Sequence, residues 1–398
     1  GICQKKKKVR IMSDRHPIIA NGELYAQPVS KPIGGGPKSL PYEYEEAKVK
    51  TLADLSTLEA TFSEDKEVFM EDKIICLRLE PKFEAKSYIP TSIIAALPDG
   101  KIVGGRKYKM NSDEDEVYAK LYFVKTTAKG VSQLKATLEN GKNDSVEQWR
   151  NQLRSLHSID VLADDEKVMG FETDWDAGSV EFVLHPIPGH TDDKIRRFVQ
   201  ISGIDEANIR VKTYNDGITF ISARCSQAQI QRVKRFNALR AIHPLGMIDI
   251  STIRSFTGST LPQKSPSKRK PTINVGVFDG GADPGIPILQ GYVSEIDATA
   301  ADEHPNLVHH GSGVCSAILY GNLSGKSSTD VLDPPLVSID SYRVLPLKDY
   351  RDIDLYEAID TIENIVPNQP DTKLYNLSFG PEGAIIDDSI SRFSYALD

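Results

Sequence analysis

Apolar and polar residues alternate through Val117, Ala119, Leu121 and Phe123, which predicts a strand with one buried face. The flanking pattern predicts a strand at Lys73–Leu79, a short helix at Tyr88–Leu97, a strand at Ile102–Lys109 and a helix at Gly130–Leu138. A helical stretch over Ser145–His157 then leads to a second set in the same order. That set has a strand at Val180–Pro186, a helix at Asp192–Ser202, strands at Ile209–Tyr214 and Ile218–Ala223, a helix at Ser226–Phe236 and a strand at Leu239–His243. Asn215-Asp216-Gly217 supplies the positive-φ glycine of a hairpin turn. Ser226 sits where an N-cap is needed, ahead of an apolar stripe of Ile230, Val233 and Phe236. Strand–helix–strand–strand–helix–strand is the ferredoxin-like plan, and its recurrence suggests an internal duplication.

The pattern changes after residue 272. Apolar strands alternate with helices, which predicts an α/β domain with a parallel sheet. Upstream, residues 13–47 carry Pro-Ile-Gly-Gly-Gly-Pro without helical periodicity and read as an extended arm. Residues 257–272 are rich in Pro, Ser and Lys, the composition of a linker open to cleavage. The expected organisation is an arm at 1–47, α+β domains at 48–165 and 166–256, a linker at 257–272 and an α/β domain from 273 to 398.

A chain of 398 residues is long enough for two or three such domains. A hydrophobic content of 39% with 26% charged residues fits a globular protein. The net charge of −8 argues against nucleic acid as a partner, and no apolar run is long enough to span a membrane. Lys5–Lys8 are followed by no apolar core, so they are not a secretory signal. Gly1, Cys3 and these lysines have the residues of a lipidation site, but Met12-Ser-Asp-Arg-His-Pro reads as a natural start, with residues 1–11 an upstream extension. Cys3, Cys76, Cys225 and Cys315 lack paired spacing, which predicts free thiols and a cytoplasmic setting.

Chemistry concentrates near the C-terminal end. Asp279 closes an apolar strand, so its carboxylate should emerge at the sheet's C-terminal edge, where α/β proteins place their sites. Gly280 and Gly281 allow a tight turn beside it. His310 follows 31 residues later and should open a helix of small residues, Gly-Ser-Gly-Val-Cys-Ser-Ala. An acid at that distance can hold the imidazole Nδ1–H and make His310 a general base. No metal is expected. The acids of Asp113-Glu-Asp-Glu lie on one turn without a glycine pivot, and Asp302, Glu303, His304 and His309 lack helical ligand spacing. No cofactor motif occurs. Ser378-Phe379-Gly380 follows a short strand and reads as an edge offering backbone hydrogen bonds to an extended peptide. Asn376-Leu-Ser378-Phe-Gly380 half-mimics a nucleophile elbow but lacks its first glycine.

These three segments together resemble the subtilisin family of serine peptidases. The family's Asp-Ser/Thr-Gly turn is matched by Asp279-Gly280-Gly281, its His-Gly-Thr-x-Val-Ala-Gly by His310-Gly-Ser-Gly-Val-Cys-Ser316, and its Asn-x-Ser-x-Gly strand by Asn376, Ser378 and Gly380. The resemblance spans about residues 272–398. It implies an Asp–His–Ser mechanism with Asp279 and His310 catalytic and Ser378, Phe379 and Gly380 binding substrate. The nucleophile would fall roughly 150 residues past the histidine on that pattern, whereas Asp398 is 88 residues past it. The expected fold is thus a C-terminally incomplete subtilisin-like domain behind two ferredoxin-like units. Residues 178–250 are similar to the propeptide of that family, which assists folding and inhibits the protease. The whole arrangement also resembles bacterial subtilisin-like proteases paired with an AAA-type ATPase in phage defence, which implies an ATPase partner. The expected activity is that of a cytoplasmic serine endopeptidase acting on protein or peptide; the alternative is a non-catalytic scaffold that binds peptides or an ATPase.

Overall fold

The computed structural model describes residues 38–110, 117–245, 261–267, 270–323, 325–347, 355–380 and 389–398. The arm over 13–37, the acidic turn at 113–116, Cys3 and Lys5–Lys8 lie outside these residues. Residues 41–398 form one unit of mixed α/β structure, with three four-stranded sheets among the described residues, one of them parallel.

The first sheet is built from β1 (Lys73–Leu79), β2 (Lys101–Met110), β3 (Val117–Thr126) and β4 (Leu156–Asp160), in the order β2-β3-β1-β4 with every pair antiparallel. Its helices are α1 (Tyr44–Glu64), α2 (Thr91–Ala95), α3 (Ala128–Glu139) and α4 (Glu147–Arg154). The expected helix over 145–157 is therefore shorter. Its end turns into β4, which completes the first sheet instead of linking two units. α1 crosses the expected arm boundary at residue 47 and has no counterpart in the sequence reading. It buries Tyr44, Ala47, Thr51, Leu55, Leu58 and Phe62, a stripe at helical spacing. Ala and Thr contribute little apolar contrast, and this hid the stripe.

The second sheet repeats the plan with β5 (Ala177–Leu184), α5 (Thr191–Ser202), β6 (Ile209–Thr213), β7 (Thr219–Ser226), α6 (Gln227–Val233) and β8 (Leu239–Pro244), in the order β6-β7-β5-β8. Ser226 caps α6 in a reciprocal capping box with Gln229. Gly217 has φ +89°, as the predicted turn requires. The two units do not have separate cores. Ile74, Cys76, Leu121 and Phe123 of the first sheet share a cluster with Val180 and Phe182 of β5, Phe198 of α5 and Val233 of α6. Asn237 locks the contact by bonding both backbone groups of Ile74, at 2.8 and 2.9 Å.

The third sheet has β9 (Ile273–Asp279), β10 (Val293–Asp297), β11 (Val337–Arg343) and β12 (Leu374–Leu377), all parallel, in the order β10-β11-β9-β12. Its helices are α7 (Pro305–Tyr320), α8 (Tyr356–Ile365) and α9 (Arg392–Leu397). Part of the expected linker is held in place. Gln263 N–H donates to the Asp330 carbonyl at 2.8 Å, and Leu332 N–H to the Gln263 carbonyl at 2.9 Å. Cys76, Cys225 and Cys315 are buried free thiols, as predicted.

β5 shows how the sheets stack. Successive residues of a strand face opposite ways. Val180, Phe182 and Leu184 enter the cluster shared with α5 and α6. Val183 on the other face packs with Phe220, Ala241 and Tyr356 of α8. The second sheet is thus covered by its own helices on one side and by α8 and α9 on the other.

Candidate active site

Asp279 ends β9, with its carboxylate 1% exposed. One carboxylate oxygen, Oδ1, accepts from Gly280 N–H at 2.7 Å and from His310 Nδ1–H at 2.9 Å. Its Oδ2 has no hydrogen-bond partner among the described residues. The Asp279 carbonyl accepts from Val344 and Leu345 N–H, at 2.9 and 3.3 Å, tying the strand end to β11's exit. This placement follows from the run Val275, Val277, Phe278, which carries β9 through the core and releases it at Asp279.

His310 lies inside α7, more than a turn from its start at Pro305, and not at the helix N-terminus as expected. The helix begins earlier because Pro305 is preorganised for a first helical position. The side chain of His310 is 20% exposed. The hydrogen bond it donates to Asp279 raises its pKa; partial burial opposes this, and the carboxylate's charge adds to the rise. Its Nε2 makes no hydrogen bond among the described residues and is left for an external partner.

The turn after Asp279 is clamped from two sides. Gly281 has φ +96°, and a Cβ there would lie 2.8 Å from Glu295 Oε1 and 3.1 Å from Arg343 Cδ. Glu295 Oε2 accepts from Ala282 N–H at 2.9 Å. Burial raises the Glu295 pKa against its hydrogen bonds. On the other side Gly311 packs against the Gly281 carbonyl so closely that a Cβ would overlap it. The small residues after His310 therefore let α7 approach the acid turn. Ser312 Oγ, matching a threonine in the resembled motif, accepts from Asp283 N–H at 2.9 Å and donates to the Val308 carbonyl at 2.7 Å.

Ser378, Phe379 and Gly380 continue directly from β12, which pairs with β9 through Asn376 and Val277. Ser378 Oγ donates to Asn376 Oδ1 at 2.8 Å and makes no bond to His310. Gly380 has open space where a side chain would stand, and Phe379 meets Phe393 edge-on, ring centroids 6.5 Å apart. Asp279 and His310 are thus joined directly, while Ser378 is engaged elsewhere. Asp302, Glu303, His304 and His309 form no metal-binding group; no such group occurs among the described residues.

A second polar constellation escaped the sequence reading. Glu181 in β5 is buried against α8 and α9. Its Oε2 accepts from Tyr356 Oη at 2.6 Å, and Oε1 accepts from Arg392 N–H at 3.0 Å, at the start of α9. His243 Nε2 lies 3.2 Å from Oε1, close enough for an ion pair though off the hydrogen-bond direction. Burial lowers the His243 pKa, but the Glu181 carboxylate beside it outweighs burial, and the net shift is upward. Arg392, itself 1% exposed, pairs with Asp360 and Glu363 of α8. The sequence does carry a signal for this network: an acid inside Ser-Val-Glu181-Phe-Val-Leu, a strand buried on both faces.

No protein-family model matches the chain, and no curated protein matches it. Among solved structures it is similar to a putative glycine cleavage system transcriptional repressor, at 10% identity over 39% of this chain and 81% of that one, with a TM-score of 0.14. It is also similar to a microcompartments protein from Desulfitobacterium hafniense DCB, at 10% identity over 44% of this chain and 93% of that one, with a TM-score of 0.16. Neither bears on function at such scores. Among the described residues no helix is long and apolar enough to cross a membrane.

Proposed function

We propose that residues 273–398 form part of a subtilisin-like serine endopeptidase domain in which Asp279 and His310 are the acid–base pair. The observation that carries this reading is the 2.9 Å hydrogen bond between Asp279 Oδ1 and His310 Nδ1 at the C-terminal edge of a parallel sheet. In the proposed reaction a serine from outside these 398 residues gives its proton to His310 Nε2 as its oxygen attacks a peptide carbonyl. The Asp279 carboxylate holds the ring tautomer and stabilises the imidazolium, which then protonates the leaving amine; water repeats the sequence on the acyl-enzyme. Residues 378–380 continue from the edge strand β12 and would pair with substrate backbone.

The second sheet then acts as a propeptide-like brake. Its exposed face would be apolar (Val183, Phe220, Ala241), and it is covered by α8 and α9 through the Glu181 network. Docked there, it orders two helices that border the substrate strand, Phe379 meeting Phe393 of α9.

The test is labelling of the full reading-frame product with a serine-directed phosphonate. Label on a serine beyond residue 398, lost in His310→Ala and strongly slowed in Asp279→Asn, is the expected result. Absence of label would instead support the non-catalytic scaffold, a reading favoured by the engagement of Ser378 with Asn376. Label on Ser378 would overturn the assignment of residues 378–380 to substrate pairing.

A further inference from the structure

An open cleft of about 580 Å³ lies on the helix side of the second sheet, the face opposite α8 and α9. Three elements line it: the segment after α1, one face of α5, and α6. Lys66, Arg196, Arg197, Arg232 and Arg235 surround it, in a chain whose net charge is −8. The carboxylates present are Glu67 and Asp193, with Asp65 just outside. Five cations thus face three anions.

The internal pairing leaves specific charges unanswered. Asp65 engages Arg235, and Asp193 is shared by Arg196 at 3.3 Å and Arg197 at 3.7 Å. Arg197 is a structural clamp, its Nη1 donating to the carbonyls of Lys66, Glu67 and Phe69 at 3.1 to 3.2 Å. Lys66 and Arg232 make no ion pair or hydrogen bond among the described residues. Arg232 is seated over Gly203 at the C-terminal end of α5, where a Cβ would meet its Nη2 at 3.1 Å. Like charges gathered around one concavity repel one another, and an anion between them removes that cost.

We infer that this cleft binds a di- or triphosphate group. Guanidinium forks match phosphate oxygens in bidentate fashion, and Lys66 and Arg232 line the same cleft, where a chain of two or three phosphates would meet both. The volume falls within the range of small-molecule sites, about 300–1,000 Å³. Because the ligand bridges residues 65–68 and the helices α5 and α6, it ties the first unit to the second. The inference does not depend on the peptidase reading, since none of its residues contacts Asp279, His310 or the Glu181 network.

The test is titration calorimetry on the whole chain at low ionic strength, with inorganic tripolyphosphate as the probe. One-to-one binding is expected, weakened about tenfold by either Lys66→Glu or Arg232→Glu and about a hundredfold by both, one tenfold step per lost contact of about 1.4 kcal/mol. Both side chains are exposed, and Arg232→Gln provides a milder variant expected to weaken binding severalfold. A nucleoside triphosphate should bind at least as well: equal affinity means the phosphates alone are read, and tighter binding means the base contributes. Three outcomes would overturn the inference: no saturation by about 1 mM tripolyphosphate, unchanged affinity in the double variant, or equally tight binding of an oligoglutamate, which would make the cleft a surface for acidic protein.

Discussion

Removing the Glu181 carboxylate should undock the second sheet from α8 and α9. Glu181→Ala leaves two buried donors, Tyr356 Oη and Arg392 N–H, without their acceptor, and His243 without the carboxylate it pairs with. Each unsatisfied donor costs about 1–3 kcal/mol, and truncating one side of a buried ion pair costs about 3–5 kcal/mol. The three share one carboxylate and do not add, so about 4 kcal/mol is expected for the whole network. That corresponds to a roughly thousandfold shift toward the undocked state. Glu181→Gln keeps the shape and one acceptor and should cost about half as much. Amide hydrogen exchange of the intact chain reads the effect locally. Peptides covering α9 and the first turns of α8 should lose protection by about three orders of magnitude in Glu181→Ala, with α3 in the first unit unchanged. Exchange at α9 within about twofold of the parent chain would refute this account of what holds the sheet in place.

The same contact should depend on pH. His243 has its pKa raised in the folded chain, so its contribution is complete below the unfolded value of about 6.5 and is lost as pH rises through the folded value. Exchange at α9, after correction for the intrinsic rise of amide exchange with pH, should therefore accelerate as pH rises above about 6.5, and that dependence should flatten in His243→Gln. Gly311→Ala should destabilise the third sheet's domain by about 2–3 kcal/mol in urea unfolding, because its Cβ would strike the Gly281 carbonyl; a loss under about 0.5 kcal/mol would contradict the clamp. Glu295→Ala should free Ala282 N–H and loosen the turn beside Asp279, seen as faster exchange at residues 280–283 with the sheet itself unaffected.

Local pattern carried most of the fold. β1, β3, β5 and β7 lie within a few residues of their expected positions, since their alternating or continuous apolar runs match the faces they bury. α1 was illegible because Ala47 and Thr51 occupy core positions without marking them as apolar. β4 was absorbed into the preceding helix: Leu156 and Ile159 fit either period over so short a run. The contact between Asp279 and His310 was legible because an acid at a strand end and a histidine 31 residues on are brought together by the strand–helix geometry. Glu181, His243, Tyr356 and Arg392 were not, because four residues from four elements meet only when one sheet packs on another domain's helices. The sharing of a core between the two α+β units was equally hidden, since a strand pattern does not say which partner covers each face.

The central claim is that Asp279 and His310 work as an acid–base pair, and the imidazole titration of His310 in the intact chain tests it most directly. Nitrogen-15 NMR of the ring should give a pKa above the ordinary value of about 6.5, with the neutral ring protonated on Nδ1. In Asp279→Asn the hydrogen-bonding carboxylate is gone and partial burial remains, so the pKa should fall to or below that value. A parent pKa at or below about 6.5 that does not move in Asp279→Asn would contradict the pair.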